Sequence, residues 1–209
     1  MKNLCVVGDS FCVFRQDQTD WPKRLSTLLN LNLIGFGLPG ESWWFIRQNF
    51  LKIFDSEDFD NTELFIFCHT EPHRIIGTFS TLQKFEDGRN DQIRRAYLTQ
   101  IENKQFNNWA CQNWFEELNS MLEGKKVIHL QNFNTTASYF EVLDGIKLDR
   151  PTLYEASLSE ITDSKKFLRD DRRNHFNDQN NLNLANFLAD LYNQYQDQWP
   201  TLTQELKLQ

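Results

Sequence analysis

The chain has 209 residues, 40% of them hydrophobic, and its 18 Phe and 6 Trp supply bulk for the core of one ordinary domain. Only 8 Gly and 5 Pro are present, which excludes a linker-rich or low-complexity protein. A formal net charge of −7 argues against a partner gripped through nucleic-acid phosphates, since that grip needs a basic face.

The chain runs from Met1-Lys2-Asn3 straight into Leu4-Cys5-Val6-Val7, which predicts a first strand over 3–7. No secretory signal reads there and no apolar run reaches membrane-spanning length. A cytoplasmic protein without membrane insertion is expected, and a virion protein made in a cytoplasm would read the same. Cys5, Cys12, Cys68 and Cys111 are widely spaced and are expected to be reduced thiols, mostly in the core. Gly8-Asp9-Ser10 closes the first strand in a tight turn that carries a serine. Sites in α/β sheets are built just past the carboxyl ends of strands.

Asp20-Trp21-Pro22 opens a helix, with Asp20 placed to cap and Pro22 in the first turn, and Leu25, Leu28 and Leu29 supply its apolar stripe. Residues 31–34 predict a second strand, which ends in the glycine-rich turn Gly35 to Gly40. From 41 to 54 the apolar residues Trp43, Ile46, Phe50, Ile53 and Phe54 recur at helical spacing. Leu64-Phe65-Ile66-Phe67-Cys68 is the continuous apolar run of a strand buried on both faces. Residues 79–106 are polar and irregular, and read as an insertion or lid over a site. A helix over 107–123 stops at Gly124, and a fourth strand follows at 127–130. A fifth strand is expected near Thr152-Leu153-Tyr154, and a last amphipathic helix over 178–197. Alternating strands and helices predict a parallel five-stranded sheet in a single three-layer α/β/α domain spanning 1–209. Its carboxyl edge would gather Ser10, Gly40, Thr70 and His175.

His69 and His73 stand four apart, but Pro72 between them argues against a helix, and no carboxylate cluster accompanies them. No metal site is expected. Trp43 and Trp44 could stack on sugar rings, although helical spacing makes at least one of them core. Arg74 follows the third strand and either faces the cleft, where it would bind an anionic group, or pairs with Glu71.

Val6-Val7-Gly8-Asp9-Ser10-Phe11 resembles the first block of the GDSL, or SGNH, hydrolase family. Gly37-Leu38-Pro39-Gly40-Glu41-Ser42 is similar to its second block, and Asn174-His175-Phe176-Asn177 to its last. The resemblance implies a flavodoxin-like strand order and serine-dependent ester hydrolysis through an acyl-enzyme, with no cofactor. It implies Ser10 as nucleophile, His175 as general base and acid, and the Ser10 and Gly40 N–H groups as oxyanion donors. The family's third block carries an Asn as third donor, and alignment by the strand end puts Thr70 there. The family's acid stands three residues before the histidine. Arg172 occupies that position here, so Asp171, Asp170 or no carboxylate completes the site. The expected substrate is an acyl or O-acetyl ester, small or carried on a carbohydrate. The rival expectation is an SGNH-like module that binds without turnover, in a phage or other assembly.

Overall fold

The computed structural model describes residues 1–13, 20–72, 103–133, 138–158 and 176–207. Six strands form one parallel sheet in the order β2-β1-β3-β4-β5-β6. They are β1 (Asn3–Gly8), β2 (Asn32–Gly37), β3 (Thr62–His69), β4 (Val127–Gln131), β5 (Ile146–Arg150) and β6 (Leu202–Glu205). The helices are α1 (Trp21–Leu28), α2 (Trp43–Phe54), the short α3 (Glu57–Asp60), α4 (Lys104–Met121), α5 (Leu153–Leu158) and α6 (Asp178–Tyr195). The first five strands follow the flavodoxin-like order, and β6 extends it by one edge strand.

Alternation along the strands builds two cores. Leu4, Val6, Leu64, Ile66, Ile128 and Leu130 face one side, where Trp21 and Leu25 of α1 and Leu184 and Leu188 of α6 cover them. Cys5, Val7, Phe65, Phe67 and Val127 face the other, against Ile46 and Phe50 of α2 and Trp114 and Phe115 of α4. The result is the expected α/β/α sandwich. All four cysteines are free and buried. No helix among the described residues is long and apolar enough to cross a membrane.

Four expectations need correction. The fifth strand lies at Ile146–Arg150, and Leu153–Leu158 is helical. Thr152 and Glu155 form a capping box: Thr152 N donates to Glu155 Oε2 at 2.9 Å and Glu155 N donates to Thr152 Oγ1 at 3.2 Å. That local exchange outweighs the strand preference of Thr and Tyr. The strand itself is disguised by Lys147, which is buried and donates to the Leu143 and Glu141 carbonyls at 2.6 and 3.3 Å. The sixth strand, Leu-Thr-Gln-Glu, is short and alternates between half-buried and exposed residues. Asp20 stands at the N-cap of α1 without a side-chain capping bond, and Asn181 Oδ1 takes the Trp21 N–H instead, at 2.9 Å. The fourth helix starts three residues earlier than its apolar stripe suggests, because Asn103 caps it by accepting from Phe106 N at 3.0 Å. The expected lid at 79–106 falls outside the described residues except for 103–106, which cap and open α4.

Chain order reverses direction in the sheet at β1, with β2 on one side and β3 on the other. A crevice opens beyond strand ends at such a switch point. The end of β1 is packed tightly there: a Cβ on Gly8 would lie 2.5 Å from Cys68 Cβ, 2.7 Å from Cys12 Sγ and 2.8 Å from the Cys68 carbonyl oxygen. Gly8→Ala is therefore expected to lower stability by about 1–3 kcal/mol through overpacking. Urea unfolding reads this, and an unchanged midpoint would show that the contact relaxes freely.

Candidate active site

Ser10 opens a 3-10 turn, Ser10–Cys12, directly after β1. Asp9 caps it, with Oδ1 accepting from Phe11 N at 3.1 Å. The same oxygen accepts from Asn132 Nδ2 at 2.6 Å, and Asp9 is wholly buried. A buried carboxylate is tolerated only when it is hydrogen-bonded, and these donors hold it. Because Asp9 takes the Phe11 N–H, the turn satisfies its second N–H group and leaves the first, that of Ser10, without a partner inside the turn. Ser10 is 6% exposed.

The loop after β2 lies against this turn. A Cβ on Gly37 would collide with the Cys12 carbonyl, so only glycine lets the two backbones approach. Three residues on, Leu38-Pro39-Gly40-Glu41 makes a turn closed by Glu41 N donating to Leu38 O at 3.4 Å. Gly40 has φ 79°, as the third position of a type II turn requires, and its N–H stays outside the closing bond. Ser42 and Trp43 then open α2, and Trp43 Nε1 donates to Pro72 O at 3.2 Å. The β2 loop is thereby tied to the segment after β3 that carries Thr70.

Thr70 is 5% exposed, and its Oγ1 is buried without a hydrogen-bond partner among the described residues. Asn132 Oδ1 and Ser42 Oγ share that condition at the same edge of the sheet. Buried polar atoms are nearly always paired, so such a group marks a place that a ligand or water completes.

Asn132 was not visible as a site residue in the sequence. Its Nδ2 donates to Asp9 Oδ1 and, at 3.3 Å, to Cys68 O, while its own N–H reaches His69 O at 3.0 Å and its carbonyl accepts from Tyr154 N at 2.9 Å. Both amide hydrogens are committed. Asn132 is therefore a brace between β3, β4 and the Ser10 turn, and no oxyanion donor.

His69, next to Thr70, is a brace of another kind. Its Nε2 lies 2.9 Å from His129 Nδ1, and His129 Nε2 lies 2.9 Å from Asp144 O. A carbonyl only accepts, so His129 Nε2 carries the proton, its Nδ1 accepts, and His69 Nε2 donates. Burial pushes both imidazoles below the ordinary histidine range, His129 to about 3, with Lys147 adding to the effect on His129 and His129 to that on His69. Both rings are spent on each other. Among the described residues no group of three or more His, Cys, Asp or Glu could hold a metal ion.

Burial also raises the Cys12 thiol well above its ordinary pKa, with Cys68 beside it as the next cause. The sulfur two residues from Ser10 stays protonated at neutral pH. Trp43 is core, whereas Trp44 is 38% exposed with the Arg47 guanidinium 5.5 Å from its ring centroid. His175, Asp171, Asp170, Arg172, Arg74 and His73 lie outside the described residues. The residue after His175 is described: the Phe176 ring meets the Phe11 ring edge-on at 5.9 Å between centroids. Ser10, Gly40 and Thr70 thus come from the ends of three adjacent strands. The chain matches no protein-family model, no curated protein and no solved structure.

The imidazole pair sets a pH signature. The unfolded chain takes up protons below about pH 6.5 that the folded pair refuses, so stability present above that pH is lost as pH falls toward 3. His129→Gln should flatten this fall by up to about 1.4 kcal/mol per pH unit between pH 6 and 4. Urea unfolding across that range checks it, and equal slopes in the two proteins would contradict the neutral pair.

Proposed function

We propose that this chain is a serine-dependent ester hydrolase of the SGNH type, acting on an acyl or O-acetyl ester with a carbohydrate carrier as the favoured class. One observation carries the proposal. Ser10 stands past the end of β1 at the switch point, and the neighbouring strand end brings up Thr70 with a buried, unpartnered hydroxyl. Further support comes from Phe176, which follows His175 in the chain and packs on Phe11, which follows Ser10.

In this reading Ser10 Oγ attacks the ester carbonyl while His175 accepts its proton. The carbonyl oxygen becomes an oxyanion between the Ser10 N–H, the Gly40 N–H and Thr70 Oγ1. Collapse expels the alcohol, which takes the proton from His175. Water, deprotonated by the same imidazole, then releases the acid and restores Ser10. Asp171 orients the imidazole, and Arg74 binds an anionic group of the substrate. Arg172 at the usual acid position favours the rival, a binding module without turnover, and the same test separates the two.

A fluorophosphonate probe should label the purified protein, and Ser10→Ala should abolish labelling without loss of folding. Thr70→Val should slow labelling about 10²-fold, the usual cost of one oxyanion donor. Labelling that persists in Ser10→Ala removes the nucleophile. Absence of labelling in folded wild type favours the binding module.

A further inference from the structure

Asn181 stands in the first turn of α6, three residues before Leu184 on the apolar stripe, and is only 4% exposed. An aliphatic residue would suit that position. Burying an amide there is tolerable only if its hydrogen bonds are met, and three are seen among the described residues. Asn181 Oδ1 accepts from Trp21 N at 2.9 Å, while Nδ2 donates to Asn177 O at 3.0 Å and to Phe176 O at 3.3 Å. Local capping does not require it. Asn177 already caps α6 by accepting from Asn180 N at 2.8 Å.

Trp21 continues the connection. Its Nε1 donates to Phe11 O at 2.7 Å, holding the carbonyl next to Ser10. Phe11 and Phe176 then close a ring of contacts from the Ser10 turn through Trp21 and Asn181 to the backbone that follows His175. The two halves of this ring are 160 residues apart in sequence.

We infer that Asn181 is a positioning residue: it sets Phe176 and Asn177, which follow His175 in the chain, against the Ser10 turn, and so fixes the point from which the chain delivers the base to the nucleophile. The inference rests on the hydrolase reading above. Reaction between a base and a nucleophile is steep in distance, and a shift of about 1 Å is enough to cost about 10²-fold.

Asn181→Asp tests it. The carboxylate keeps an acceptor for Trp21 N but has no donor for the Phe176 and Asn177 carbonyls. Trp21→Phe is the second variant, cutting the ring at the Phe11 carbonyl if the first fails to fold. The readout is the second-order rate of labelling by a fluorophosphonate probe from pH 5 to 9, with circular dichroism to establish folding. Wild type should rise through a midpoint in the histidine range. The folded variants should label at least 10-fold more slowly at pH 7.5, with that rise flattened because the base no longer engages Ser10. A folded variant with the wild-type rate and profile overturns the inference. So does a slower rate with the wild-type profile, which marks a merely structural loss. Absence of labelling in wild type itself instead fails the hydrolase reading, and the inference falls with it.

Discussion

The buried carboxylate of Asp9 is the constraint on which the carboxyl edge depends. One oxygen of this side chain holds both the Phe11 N–H of the Ser10 turn and the Asn132 amide at the end of β4. The turn cannot tilt without losing a hydrogen bond to a wholly buried side chain, and Asn132 cannot move without releasing Cys68 O and the turn together. Gly8 and Gly37 complete the constraint by sterics, since a side chain at either would push into the backbone or sulfur atoms around the turn. Ser10 is therefore presented by a rigid strand end, as a preorganised site needs.

The remaining polar groups divide by whether they are spent. The His69–His129–Asp144 chain, the capping box of α5 and the Lys147 bonds are closed circuits that fix the ends of β3, β4 and β5. Thr70 Oγ1 is the opposite case, a buried hydroxyl beside those closed circuits with nothing to bond among the described residues. At the same edge Ser42 Oγ and Asn132 Oδ1 are likewise buried without a partner among the described residues. That contrast, rather than any cavity, is what the hydrolase proposal takes as its support at the β1–β3 switch point.

Legibility in the sequence followed the range of the interactions. The strands β1 and β3 are contiguous apolar runs, and α6 shows its stripe from Leu184 to Tyr195, so periodicity alone finds them. β5 is hidden because Lys147 interrupts its run, and the carbonyls that satisfy the lysine, those of Glu141 and Leu143, lie in and just after a separate 3-10 turn, Ser138–Val142. The helix after it was readable from Thr152 and Glu155 as a capping box, a local signal that strand propensity obscured. Ser10 and Gly40 stand out because their turns are written in neighbouring residues. Asn132 and Asn181 do not, because their decisive partners, Asp9 and Trp21, lie 123 and 160 residues away. An Asn in an Asn-rich chain carries no mark of such a task.

The most direct test of this account is a crystal structure of the protein after reaction with a fluorophosphonate. The phosphonyl group should be bonded to Ser10 Oγ, with one oxygen about 3 Å from the N–H groups of Ser10 and Gly40 and from Thr70 Oγ1. An adduct on Ser10 whose oxygen faces solvent, with Thr70 still unpartnered, would contradict the claim that this edge is built to hold an oxyanion.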